Sequence, residues 1–437
     1  MHDVLVENEE FKDSPLGKIP KDWEVCAIEN KLQQIIDYRG KTPEKTNSGV
    51  PLITAKNVRD GYLDPEPREY IDETNYDIWM RRGFPKAEDV LFTTEAPLGN
   101  VARVPSYKIA LAQRLLTLRA SPEALDAGYL FWLLNWSESR RRLEQKSTGS
   151  TVLGIKQSVF RKIFFRFPSL SKQRRIAEIL DTVDEAIART SSLIIKLKHT
   201  KAGLLQDLLT CGLDDDGKLR DLQAHPEQFK DSPLGQIPKD WGVVQLSEVT
   251  TIENGTTPSR EEYKFWNQGT IPWLTTGKVH ERIIIQSDEF ITNFALQICS
   301  LRLLPVGTIL VAMIGQGITR GKVAYLAFEA AINQNFGAIL PCYSFNCKFL
   351  FHYLDVNYEY VRGSSQGSNQ QALNCSVVGK LQVICPPIDE QNAISTVIDS
   401  YDTHISTEEA YLNKLKLQKQ GLMQDLLTGK VRVSTIK

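Results

Sequence analysis

Apolar residues along 173–210 (QRRIAEILDTVDEAIARTSSLIIKLKHTKAGLLQDLLT) recur in alternating steps of four and three: Ile176, Leu180, Val183, Ile187, Thr190, Ile194, Leu197, Lys201, Leu204 and Leu208. Eight of these ten seam positions are apolar, and no proline interrupts them. So narrow a stripe at that spacing predicts one long helix whose seam faces another helix. At about 1.5 Å per residue it is roughly 57 Å long, and it cannot bury its seam alone.

The pattern recurs 218 positions later, at Ile394, Ile398, Tyr401, Ile405, Glu408, Leu412, Leu415, Lys419, Leu422 and Leu426. The two polar interruptions recur with it, Thr190 against Glu408 and Lys201 against Lys419, and both stretches close on similar strings, LLQDLLT and LMQDLLT. A second repeat has the same offset. FKDSPLGKIPKDWEV (11–25) and FKDSPLGQIPKDWGV (229–243) agree at thirteen of fifteen positions. Pro15, Gly17 and Pro20 make this an extended, turn-rich arm with Trp23 as its anchor. The chain therefore reads as two tandem units, each an arm, a mixed segment and a long helix.

The mixed segments, 26–170 and 244–388, resemble each other weakly. Each holds short strand-like runs (VPLIT at 50–54, DVLFTT at 89–94, TIPWLT at 270–275, TILVAMI at 308–314) among Gly, Pro and Asn turns. Each also holds one shorter helical patch, YLFWLLNWSESRRRLEQ and KFLFHYLDVNYEYVR. Two α+β globules with an internal pseudo-two-fold repeat follow, separated by an antiparallel pair of long helices. The expected boundaries are 1–170 for the first arm and globule, 171–228 for the central helix and an exposed charged linker, 229–388 for the second arm and globule, and 389–437 for the distal helix and basic tail.

Composition narrows the class. With 42% apolar and 24% charged residues the chain is a folded protein. No apolar run approaches the roughly 18 residues of a membrane span, and the acidic start MHDVLVENEE is unlike a signal peptide. A cytoplasmic protein without a membrane partner is expected. The seven scattered cysteines, odd in number and without a Cys-x-x-Cys pair, suit reduced thiols. A net charge of −1 leaves nucleic acid open, because a basic face can sit on a neutral whole. No phosphate loop is present: GQGITRGKV at 315–323 has the wrong spacing. No Asn/Asp-Pro-Pro-aromatic string occurs, and the six histidines lack metal-ligand spacing. No catalytic, cofactor-binding or metal site is therefore expected on this chain.

The positive signal is a basic run, Arg140, Arg141, Arg142, Lys146, Lys156, Arg161, Lys162 and Arg166, against the single acid Glu144. It surrounds a polar loop with Ser147, Thr148, Ser150 and Gln157, a composition suited to phosphate neutralisation and hydrogen bonding to DNA, although a solvated helix face would carry the same charges. The corresponding loop of the second unit offers Gln366, Ser368, Asn369, Gln370 and Gln371 instead. Amides there can pair with adenine edges, or be plain surface. Further candidates are the matching turns with Arg39, Lys41 and Thr42 and with Thr256 and Thr257, and the strand ends with Lys56 and Asn57 and with Lys278. The pairs Gln113–Arg114 and Gln334–Asn335 complete the set. For each of these a turn or strand-end role without contact is an equal alternative.

The repeated FKDSPLG-x-IPKDW arm, the Gly-Ser loop leading to P-x-L-x-x-Q (168–173) and P-x-I-x-x-Q (386–391), and the helices ending QDLLT, the second followed by GKVRV, resemble the specificity subunit of Type I restriction–modification enzymes. The resemblance covers essentially the whole chain. It implies two target-recognition domains, each reading half of a split sequence in double-stranded DNA, with the two long helices as a spacer. It also implies a non-catalytic adapter. Two modification subunits would supply adenine methylation with S-adenosylmethionine, and restriction subunits would supply ATP- and Mg-dependent translocation and cleavage. The competing readings are a methyltransferase or nuclease with fused reader domains and a coiled-coil scaffold that binds no DNA.

Overall fold

A computed structural model describes residues 11–38, 43–149, 152–315, 317–364 and 372–434. Two stretches of heptad spacing become two unbroken helices of 41 residues, Leu170–Thr210 and Ile388–Thr428. Both begin two residues after the prolines Pro168 and Pro386 and end at the shared QDLLT string. Gly212 and Gly429, at φ of 66° and 74°, then adopt the left-handed backbone that glycine tolerates, and each helix stops. None of the twenty seam positions is exposed.

The chain divides into two compact units, Met1–Ser192 with Glu409–Lys437, and Leu193–Glu408. The division falls inside the long helices, whereas the sequence repeat suggested boundaries at their ends. Each globule packs on the first half of its own long helix and the second half of the other. In the first unit Ile176 and Leu180 share a core with Met423, Leu426 and Leu427. In the second, Ile394 and Ile398 share one with Leu205, Leu208 and Leu209. The two half-helices inside each unit therefore run antiparallel.

The lysines that interrupt the seam are accounted for inside each unit. Lys419 reaches Asp184 of the facing helix at 2.5 Å and lies over the Trp132 ring, 4.7 Å from its centre. Lys201 reaches Asp402 at 2.5 Å. Both lysines bury their stems and cross the seam to an acid.

The globules repeat one topology. The first has a four-stranded antiparallel sheet, in spatial order Leu32–Asp37, Leu115–Ala120, Val90–Thr93, Val101–Arg103. Beside it lies a smaller sheet in which Val50–Ile53 pairs antiparallel with Tyr70–Ile71 and parallel with Ala110–Leu111. The second keeps this order (Ile252–Asn254, Phe336–Ile339, Ile309–Ala312, Val323–Leu326) and adds Ile283–Ile284 at the edge. Its smaller sheet pairs Ile271–Leu274 with Glu289–Ile291 and, in parallel, with Ala331–Ile332. The four strand-like runs read from the sequence all lie in these sheets. Each arm is a short ladder whose tryptophan, Trp23 or Trp241, is buried.

Two expectations change in detail. The shorter helical patches are each two helices. Ala127–Asn135 and Ser137–Gln145 break at Trp136, whose extended backbone buries its ring in the core. Cys347–Val356 and Tyr358–Gly363 break at Asn357, whose amide caps the first by donating to the Tyr353 carbonyl. The linker 211–228 is largely exposed but stitched down at one point. Glu390 accepts from Arg220 at 2.6 Å, the Leu213 amide at 2.7 Å and Trp241 Nε1 at 2.9 Å.

Candidate nucleic-acid interface

In each globule several of the described candidate segments converge where the strands end. In the first, the parallel pairing extends to the Ala112 amide, which donates to Ile53 at 2.9 Å, so the turn Gln113–Arg114 stands beside the strand end that carries Lys56. The Arg114 carbonyl accepts from Thr94, and the Thr94 carbonyl accepts from Ile155. Thr148 and Gly154 exchange both backbone hydrogen bonds, closing the polar loop at the same place. Arg114, at φ of 70°, pairs with Glu95 at 2.8 Å. Thr148 and Lys156 are exposed alongside.

The second globule repeats the plan with different groups. The Asn333 amide donates to Leu274, the Asn335 carbonyl accepts from Met313, and the Met313 carbonyl accepts from Leu373. Thr257 donates to Gln334 at 2.6 Å, and Thr276 to Asn333 at 3.2 Å. Thr256 is exposed one residue away. Sequence-distant candidates are thus brought together, Arg114 with Thr148 and Lys156, and Thr256 with Thr257 and Gln334.

Other candidates have their chemistry spent inside the fold. Asn57 is 1% exposed; its amide oxygen accepts from Thr54 and its nitrogen donates to the Asp64 and Pro67 carbonyls, so it braces its own loop. Lys278, 8% exposed, is bound by Glu281 at 2.6 Å and Asp288 at 3.0 Å, and these carboxylates raise its pKa. Ser147 donates to the Glu144 carbonyl and ends a helix. Gln157 opens the short helix Gln157–Phe160 and is half-buried. Arg39, Lys41, Thr42, Ser150, Gln366, Ser368, Asn369 and Gln370 lie outside the described residues.

Half of the basic run is taken up by ion pairs. Arg140 binds Asp60 and, at 2.8 Å, Asn135. Arg142 and Arg166 share Glu138, and Arg161 binds Glu29 at 2.6 Å. Burial, with Arg166 nearby, pushes Arg142 down to about 10, a mark of a packed guanidinium. Arg141, Lys146, Lys156 and Lys162 are exposed. Sequence counts cations; it does not count the acids that fold back onto them.

Sequence reasoning also missed two loops that leave the central strands at this end, 94–100 and 313–322. Gly99, Gly315, Gly317 and Gly321 there have positive φ, and that glycine spacing was the available signal. Each is braced by an arginine of the nearby helix pair. Arg140 packs against Gly99, and Arg362 donates to the Gly317 carbonyl at 2.5 Å.

Each unit is an α+β globule packed on two antiparallel half-helices, and no metal-ligating group of three occurs among the described residues. The family model for the Type I restriction modification DNA specificity domain matches residues 20–199 and 238–417, two spans set apart by the same 218 positions. The chain belongs to this family and is a DNA-recognition, non-catalytic specificity subunit of the Type I restriction–modification class. It is similar to two proteins of Methanocaldococcus jannaschii, the putative Type I restriction enzyme MjaX specificity subunit and the MjaVIII specificity subunit. Each is 26% identical, over 98% of this chain and 98% or 97% of the relative. Its fold is similar to the crystal structure of a Type I S subunit from M. genitalium, with a TM-score of 0.58, 14% identity and 97% of each chain covered. No described helix is long and apolar enough to cross a membrane.

Proposed function

We propose that each globule reads one half of a bipartite target in double-stranded DNA, while the paired helices set the spacing between the halves. The observation that carries this reading is one backbone plan with different side chains at the matching turn: Gln113–Arg114, where Arg114 pairs with Glu95, in one unit, and Gln334–Asn335, where Gln334 accepts from Thr257, in the other. Arg141 and Lys56 supply phosphate contacts at the rims. The repeated arms and helices give two copies of one docking surface, which suits two modification subunits, with restriction subunits joining that assembly. Adenine methylation with S-adenosylmethionine and ATP- and Mg-dependent cleavage then reside on the partners, in the cytoplasm.

Single-molecule sequencing of DNA from cells carrying this chain with its methyltransferase partner tests the reading. The expected result is methylated adenines in two short motifs separated by a fixed gap of unspecified bases. A single continuous motif would overturn it. Methylation or cutting by the purified chain alone would favour an enzyme with fused readers.

A further inference from the structure

The loop between strands Ile309–Ala312 and Val323–Leu326 is firmly held on its inner side and bare at its tip. Tyr358 donates its hydroxyl hydrogen to the Ile318 carbonyl at 3.0 Å. Arg362 donates to the Gly317 carbonyl at 2.5 Å and the Arg320 carbonyl at 3.4 Å. The His280 ring and the Thr319 hydroxyl lie 3.2 Å apart, and the Gly321 amide donates to Ala312 at 2.9 Å. A side chain at Gly321 would stand 2.9 Å from the Arg362 backbone, so loop and helix are pressed together.

The Ile318 side chain is nevertheless 65% exposed. A lone exposed isoleucine is ordinary; here the Gly317, Ile318 and Arg320 carbonyls are tied to the helix Tyr358–Gly363 and the Thr319 carbonyl to the Lys322 amide, so Ile318 is an ordered apolar group offered to solvent. The surroundings say what it faces. Lys322 follows it with no acid between Ile318 and Lys322, which suits a polyanion. The loop springs from Met313, which is hydrogen-bonded to Asn335 and Leu373, so its base borders the second unit's reading turns. The matching loop of the first unit, TEAPLGN at 94–100, has no isoleucine and no cation. The exposed isoleucine followed by cations is particular to one reader.

We infer that Ile318 contacts bases in the half-site read by the second unit, its methyl groups meeting the 5-methyl group of a thymine in the major groove, with Tyr358 and Arg362 as positioning residues. This rests on the bipartite reading above. The test uses the full chain in complex with its methyltransferase partner, on duplexes carrying the mapped target. Thymines of the second half-site are replaced singly by uracil, which removes only the methyl group. One replacement is expected to weaken wild-type binding about fourfold, the worth of one buried methyl group. Ile318→Ala should bind more weakly and be indifferent to that replacement, with discrimination at the first half-site unchanged as the control for folding. Tyr358→Phe, which removes the bond to Ile318 and the one Tyr358 accepts from Arg362 while keeping the ring, should blunt the same sensitivity. If no uracil matters, or if Ile318→Ala keeps the sensitivity, the inference is wrong. If the wild-type complex fails to discriminate the second half-site from scrambled DNA, the bipartite reading itself is wrong.

Discussion

Two glutamines show how a motif can be legible without its mechanism. Gln173 and Gln391 close the P-x-L-x-x-Q and P-x-I-x-x-Q strings, and both are buried. Gln173 accepts from the Asp126 amide and donates to the Ala124 and Pro168 carbonyls; Gln391 does the same with Asn346, Ser344 and Pro386. Each clamps a globule helix onto the base of a long helix. The spacing was readable, but the clamped backbone lies 45 to 49 residues away, beyond any local pattern. Asn57 and Lys278 are bonded within the fold for a related reason: strand-end position follows from sequence, whereas burial depends on the acids and carbonyls that gather around. Gln173→Leu should cost about 3 kcal/mol, because three buried backbone groups lose their partner; a urea midpoint shift at constant m-value measures it. A third buried residue adds a pH term. His352, 1% exposed, has its pKa pushed down to about 4, by burial first and then by Lys201, against the opposing pull of Asp402 and Asp399. The folded state therefore binds fewer protons than the unfolded chain between pH 6.5 and about 4, and His352 removes stability as pH falls through that window, by at most about 1.4 kcal/mol per pH unit. His352→Leu should flatten the stability curve there relative to wild type, and equal slopes would refute the assignment.

The long helices were the most legible elements, because a seam of period 3.5 is a property of the sequence itself. Their polar interruptions were equally visible, yet their pairing was not. Asp184 and Asp402 sit one position beyond the seam residues Val183 and Tyr401, and each lies more than 200 residues from its lysine. Geometry changes the meaning of those lysines from defects to cross-helix ties. Half-buried ion pairs add little net stability, but removing one partner strands the other. Asp402→Leu should therefore destabilise the second unit by about 2 kcal/mol, and Lys201→Leu combined with Asp402→Leu should recover most of the loss. A double-mutant cycle on thermal melts reads this as a coupling energy. Additive losses would mean that Lys201 is simply a snorkelling surface residue.

For the whole molecule the sequence disclosed duplication through a single offset, and left the reading surfaces obscure because the loops that differ are those in which the alignment needs gaps. What the repeat does for function depends on the rods. Along the first helix Asp184 and Lys201 are 17 residues apart, and along the second Asp402 and Lys419 are also 17 apart (201 − 184 and 419 − 402). That is roughly 26 Å of helix between ties on each strand. Deleting residues 187–193 and 405–411 together removes one heptad from each helix, keeps the seam in phase and preserves both ties. If the rods set the spacing, the methylated target should lose about three base pairs from its gap, since a heptad is about 10 Å and a base pair about 3.4 Å. Three base pairs also turn the duplex by roughly 105°, whereas a heptad turns a helix by only about 20°. The shortened chain should therefore select the shorter gap and bind it more weakly than wild type binds its own. Deleting either heptad alone should break the match between ties and lower the melting temperature, with no new gap selected. Methylome sequencing of the three variants decides the matter: an unchanged gap in the double deletion would show that something other than rod length spaces the two half-sites.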